Sequence, residues 1–128
     1  MFEYLLKTAE LNGNIYPIQK GLSNETTNVD KNNANNLQAS DLIETITLDD
    51  FVKERKLERV DFIKSDIEGF ERYLLQGAQE TLKNFAPKLA LCTYHLPDDP
   101  QVMTDLIMQA NPRYNIVYGK MKLYASVK

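Results

Sequence analysis

Two carboxylates, Asp66 and Glu68, stand between a short apolar run, Val60-Asp61-Phe62-Ile63-Lys64-Ser65, and a helical pattern that begins at Phe70. In open parallel α/β sheets, ligands sit in the crevice beyond the carboxyl ends of the strands, so acidic residues at a strand-to-helix junction stand where chemistry takes place. A second apolar run, Leu89-Ala90-Leu91-Cys92-Thr93-Tyr94-His95, also ends in polar residues, among them the only histidine of the chain. Asp66 can orient a nucleophile or accept its proton, and His95 can assist as a base because the ordinary imidazole pKa, about 6.5, lies near neutrality. Other readings stay open. Asp66, Glu68 and His95 can together hold a divalent ion, since carboxylates and imidazole suit several such metals. His95 can also be a hydrogen-bonded structural residue, and Glu68 and Glu71 can merely favour a helix N-terminus, a contribution of roughly 0.3–1 kcal/mol. Lys64 projects to the same side of its strand as Asp66 and can pair with it, while Thr93 and Tyr94 can line the same crevice.

The elements that must position these residues follow from the apolar spacing. Phe2, Leu5, Leu6, Ala9 and Leu11 predict a short helix that ends near Asn12-Gly13-Asn14. Ile15-Tyr16-Pro17-Ile18-Gln19 reads as a weak strand, because Pro17 cannot donate a ladder hydrogen bond and favours an edge. Residues 23–40 are rich in Asn, Thr, Asp and Gln and nearly free of apolar side chains, so a mobile loop is expected there. Ile43-Glu44-Thr45-Ile46 is a brief alternating segment, and Thr47 with Asp50 three residues later can cap a helix running to about Lys56.

Val60 to Ser65 has the composition of a central strand covered on both faces. One helix should follow, with Phe70, Leu74, Leu75, Ala78 and Leu82 on its buried stripe and Gly77 explained by close contact of helix and sheet. Pro87 precedes the Leu89 strand. Asp99-Pro100 supplies an N-cap and a first-turn proline for a helix that buries Val102, Leu106, Ile107 and Ala110 and closes at Asn111-Pro112. Tyr114–Tyr118 and Met121–Val127, separated by Gly119-Lys120, read as a terminal hairpin. Alternating strands and helices with such an end predict an α/β fold whose sheet has parallel members and an antiparallel edge.

Composition excludes several functions. A chain of 128 residues with 15 Lys plus Arg against 18 Asp plus Glu is one mildly acidic domain without the basic footprint of a nucleic-acid binder. Cys92 is the sole cysteine, so an intrachain disulfide and a thiolate zinc site are both ruled out, which fits a reducing, cytoplasmic compartment. No stretch approaches the roughly 18 continuous apolar residues of a membrane span, and Glu3 interrupts any apolar start, so neither a membrane helix nor a secretory signal is expected.

Taken in order, Thr47-Leu48-Asp49-Asp50-Phe51, Val60 through Glu71, Leu74-Leu75-Gln76-Gly77-Ala78, Pro87-Lys88-Leu89-Ala90 and Tyr94-His95 resemble the signature of the FkbM family of S-adenosylmethionine-dependent methyltransferases. The resemblance extends to the terminal hairpin and to Met1–Ser23, which is similar to the segment after the family's second strand. It implies an incomplete Rossmann-like class I methyltransferase sheet, with parallel strands flanked by helices, in a single partial domain spanning residues 1–128. It also implies methyl transfer from S-adenosylmethionine to a hydroxyl of a small metabolite or sugar, with Asp66 at the methyl-transfer end and Glu68 and His95 as further catalytic candidates. It requires no metal.

Two family features are missing from these residues. The glycine-rich turn after the first strand and the acidic residue that holds the ribose after the second are not found, and all five glycines are isolated. The residues that would bind the cofactor are therefore unassigned, and weak or no binding of S-adenosylmethionine by this chain alone is expected. Without the family's first strand, the edge of the Val60 strand is expected to be bare, and to be covered by the Ile15 segment, by a second copy in a homodimer or by a missing N-terminal half. Two alternatives to an active methyltransferase stand beside it: a non-catalytic remnant or accessory subunit that completes a site with another chain, and a metal-dependent hydrolase using Asp66, Glu68 and His95.

Overall fold

The computed structural model describes residues 1–27 and 43–128. Helix α1 (Phe2–Glu10) leads to β1 (Gly21–Leu22), which pairs in parallel with β2 (Thr45–Ile46). Ile15–Gln19 forms no strand; pairing begins at Gly21, beyond the proline that lacks a ladder donor. Most of the loop expected over residues 23–40 lies outside the described residues. Its beginning is bonded: Thr27 bridges to Thr45, and the Thr26 hydroxyl donates to Asp50 Oδ2 at 2.5 Å.

Thr47 caps α2 (Leu48–Glu54) by accepting the Asp50 N–H at 3.0 Å. Next come β3 (Phe62–Ser65), α3 (Glu71–Gln76), α4 (Gln79–Phe85) and β4 (Lys88–Cys92). The chain ends with α5 (Asp99–Ala110), β5 (Tyr114–Tyr118) and β6 (Lys122–Val127). The main sheet has the order β3-β4-β6-β5, parallel between β3 and β4 and antiparallel across the other two junctions.

Alternation sorts the sheet into two unlike faces. Register aligns Ile63, Leu89, Ala125 and Ile116 in one row, and Lys64, Ala90, Tyr124 and Val117 in the next. The first row belongs to the core, where Leu74, Leu75 and Leu82 of α3 and α4 and Met103 and Ile107 of α5 are buried against Leu89, Leu91 and Leu123. Each such buried leucine contributes roughly 1.5–3 kcal/mol. Rows of the other face are open: Val117 is 64% exposed and Phe62 57%. Among the described residues β3 has β4 as its one strand neighbour, so β3 is an edge strand with one covered face. Its apolar composition suggested burial on both sides, but that depends on neighbours these residues do not supply.

The helix expected from Phe70 to Leu82 is two helices, broken at Gly77-Ala78. Asp49, in the first turn of α2, caps the second of them from a distance: its carboxylate accepts the Glu80 N–H at 3.1 Å, the Thr81 N–H at 2.8 Å and the Thr81 hydroxyl at 2.7 Å. Gly77 is required by the backbone of the chain after β1 and not by the sheet. A Cβ on Gly77 would stand 2.2 Å from the Ser23 carbonyl oxygen and 3.1 Å from Thr47 Cβ. Its φ of −86° suits any residue, so the constraint is steric. Gly77→Ala, which in an open helix would gain roughly 1 kcal/mol, is expected instead to destabilise by about 1–3 kcal/mol through overpacking, read as a lower urea midpoint.

Candidate functional site

The chain leaves β3 at Ser65 and turns sharply before α3. Glu68 and Gly69 take positive φ values of 58° and 95°, and the turn is held by Glu71, the first residue of α3. Glu71 Oε1 accepts the Ile67 N–H at 2.7 Å and Oε2 accepts the Gly69 N–H at 3.0 Å, and the side chain is fully buried. Hydrogen bonds to an ionised acceptor are about twice as strong as neutral ones. They offset the cost of burying the carboxylate and of the left-handed conformation at Glu68, which only glycine adopts freely.

This turn presents Asp66 outward, and β4 brings its partners to the same place. Tyr94 Oη donates to Asp66 Oδ1 at 3.1 Å, and His95 Nε2 lies 3.3 Å from the same oxygen. The other ring nitrogen of His95, Nδ1, is 3.6 Å from Glu68 Oε2. Three of the residues singled out from sequence thus converge, and Tyr94 joins them with its ring centroid 4.1 Å from that of His95. The ligating atoms of Asp66, Glu68 and His95 all lie within 4.8 Å of one another. Exposure differs sharply, because the His95 side chain is 10% accessible whereas that of Glu68 is 85% accessible. Lys64 does not serve as the partner of Asp66, which is contacted instead by the His95 imidazole.

Electrostatics follow from these contacts. The hydrogen bond from His95, reinforced by that from Tyr94, holds the Asp66 carboxyl below the usual range. The same contact pushes the Tyr94 phenol up, since losing its proton would set two negative charges side by side. Burial raises the Cys92 thiol, with the Asp66 charge acting in the same direction. Asp66 is therefore an anion at neutral pH. Its Oδ1 is engaged by Tyr94 and His95, and the Cys92 thiol also acts on the carboxylate.

An ion pair positions the segment that carries Tyr94 and His95. Arg72 Nη2 donates to Asp99 Oδ1 at 2.6 Å and to Asp98 Oδ1 at 2.8 Å, joining α3 to the start of α5. Asp99 is 1% exposed and its other oxygen accepts the Leu96 N–H at 2.9 Å. Asp98, and not Asp99, stands at the N-cap, because the Asp99 carboxylate is taken up by Arg72 and Leu96. Neither Arg72 nor the turn-binding role of Glu71 was apparent from sequence. An acidic residue two positions after Glu68-Gly69 was a visible signal for Glu71; the Arg72 pair spans 27 residues and left none.

A mixed α/β fold with its polar residues gathered beyond the carboxyl ends of two parallel strands falls in the broad class of open-sheet α/β domains. Residues 8–115 narrow that class: they match the Methyltransferase FkbM domain, and the chain belongs to this family. The crystal structure of methyltransferase FkbM from Methylobacillus flagellatus KT is similar, with a TM-score of 0.72 and 26% identity, over 96% of this chain and 32% of that one. The chain thus spans about a third of the length of that protein. Among curated proteins none matches. No described helix is long and apolar enough to cross a membrane.

Two predictions test this geometry. Arg72→Met leaves Asp99 buried beside an apolar group and is expected to cost about 3–5 kcal/mol in chemical unfolding. Asp66→Asn should bring the Tyr94 phenol back toward the ordinary tyrosine range in NMR of ring-labelled protein. It should also flatten the acid limb of stability. A carboxyl with a depressed pKa stabilises the fold above its unfolded pKa of about 3.9, and that stability is lost as pH falls through the lower folded value.

Proposed function

We propose that this domain forms the acceptor side of a Rossmann-like class I methyltransferase site that O-methylates a small metabolite or sugar. The observation that carries this reading is the Asp66 carboxylate at the end of β3, with Oδ1 engaged by Tyr94 and His95 and the side chain still 47% accessible. A hydroxyl donating to this carboxylate would be oriented and made more nucleophilic, and its proton could pass to Asp66 or, when the imidazole is neutral, to His95. The Arg72–Asp99 pair and the Glu71 turn hold both strand ends, so the contribution of the chain is orientation of the acceptor oxygen. Glu68, mostly exposed, adds negative charge on the other side of the imidazole.

The family implies S-adenosylmethionine as methyl donor, but the residues present do not form a cradle for it. Gly69 is the one described glycine with a positive φ, and the turn amides of Ile67 and Gly69 are already taken by Glu71. A donor site requires residues beyond these 128, supplied by further polypeptide, and the bare edge of β3 is where an added strand would pair. On this reading the chain by itself is an accessory half of such an enzyme. A second reading rests on the spacing of Asp66, Glu68 and His95, which suits a divalent ion and hydrolytic chemistry.

The single histidine makes the test specific, because its ring protons give one pair of NMR signals. Sugars with free hydroxyls at millimolar concentration should shift these signals in the wild type and not in Asp66→Asn, whereas failure of every sugar to do so would overturn the acceptor assignment. Titration with Mn²⁺ separates the second reading, which predicts broadening of the same signals at micromolar metal. Calorimetry of the chain with S-adenosylmethionine and S-adenosylhomocysteine should show no saturable binding; a low-micromolar dissociation constant would refute the need for outside residues.

A further inference from the structure

The turn that follows α1 carries chemistry that methyl transfer does not use. Asn12 is the asparagine of this chain that precedes a glycine; Asn14, Asn84, Asn111 and Asn115 precede Ile15, Phe85, Pro112 and Ile116. Asparagine is thermolabile because the main-chain nitrogen of the next residue can attack its side-chain carbonyl, and glycine has no Cβ to obstruct that approach. Two hydrogen bonds fold the segment. The Asn12 carbonyl accepts the Ile15 N–H at 3.2 Å, and Asn12 Oδ1 accepts the Asn14 N–H at 3.0 Å. The second bond closes a ring that contains the Asn12–Gly13 peptide, so it lays the side-chain amide along that peptide and polarises its carbonyl. Among the described residues the Gly13 N–H has no partner, and Asn12, Gly13 and Asn14 are all exposed to water. The turn does not require a glycine: Gly13 lacks a positive φ, and a Cβ there would meet nothing within 4 Å.

We propose that Asn12 is a site of spontaneous deamidation and that the change loosens α1. The Gly13 nitrogen, its proton lost to hydroxide, bonds to Asn12 Cγ, and Nδ2 leaves as ammonia, which gives a five-membered succinimide. Water adding at Cγ breaks the new bond and leaves aspartate. Water adding at the main-chain carbonyl leaves isoaspartate, whose chain continues through Cβ and Cγ. Nothing is oxidised or reduced: an amide and water become a carboxylate and ammonium. Either product makes the net charge one unit more negative than −3 and sets a carboxylate two residues beyond Glu10, at the negative end of the helix dipole. Helix α1 has nine residues, none of them buried, so little besides its own turns holds it, and Lys7 is the basic residue of its last turn. Isoaspartate also adds a main-chain atom between α1 and Ile15. The reaction depends on this turn alone and is independent of the methyl-transfer reading.

The full chain, incubated for days at body temperature and mildly alkaline pH and then digested, should show the peptide that contains Asn12 gaining one mass unit. Fragmentation should place the change at Asn12 as isoaspartate and aspartate, and the rate should rise with pH. The folded chain should react at least as fast as a synthetic peptide of residues 9–16, because the turn already holds the side chain along the Gly13 peptide. Gly13→Ala fits the open space, so its circular dichroism spectrum should be unchanged while the mass gain slows several-fold. Amides of α1 should exchange with deuterium several-fold faster in the converted chain than in the unconverted one. Absence of the mass gain at Asn12, equal rates in the wild type and Gly13→Ala, a folded chain several-fold slower than the peptide, or unchanged α1 exchange after conversion would each overturn the proposal.

Discussion

A buried carboxylate bound to two backbone amides governs the working end of this domain. Glu71 has no exposed surface, and its two oxygens are occupied by the Ile67 and Gly69 N–H groups. That arrangement fixes the left-handed turn through Glu68 and Gly69, starts α3 at a defined place and sets the direction in which Asp66 leaves the strand. A turn without this anchor would expose its amides to water and let Asp66 rotate away from Tyr94 and His95. An unmatched carboxylate in the same place would be costly, so the turn and the acid are mutually dependent.

The rest of the site is held by the same kind of reciprocity over longer distances. Arg72 follows Glu71 in the sequence, yet it ties α3 to Asp98 and Asp99 at the start of α5. Asp49 of α2 satisfies the first amides of α4. In each case a charged or capping group from one helix satisfies donors on another, so the helical layer over the sheet is joined by polar contacts as well as by the leucine core. The strand ends are rigid because the elements after them are fastened to each other.

Stability and completeness are separable in this fold. One face of the main sheet carries a buried core with fully enclosed Leu75, Leu91, Met103 and Leu123, while among the described residues nothing pairs with the outer edge of β3 and Phe62 and Val117 of the opposite face are exposed. The core gives the domain a reason to fold.

Much of this was legible in local patterns. Apolar spacing marked α1, α5 and the hairpin and the Thr47 cap marked α2, since a stripe, an alternation or a cap is a property of neighbouring residues. The ordered signature around Val60–Glu71 marked the family, and strand-end polarity marked Asp66, Glu68 and His95. The break at Gly77, the capping of α4 by Asp49 and the Arg72–Asp99 pair were not legible. Each depends on which distant segment arrives at a given place: Ser23 at Gly77, α2 at Thr81, α5 at Arg72. The sequence by itself determined the element types, the family and the residues able to do chemistry, because these reside in short-range pattern and side-chain type. The tertiary structure alone decided that Tyr94 and His95 share one oxygen of Asp66, that Glu71 is buried as the anchor of the turn, and that one sheet face is left open, because these depend on contacts between residues far apart in the chain.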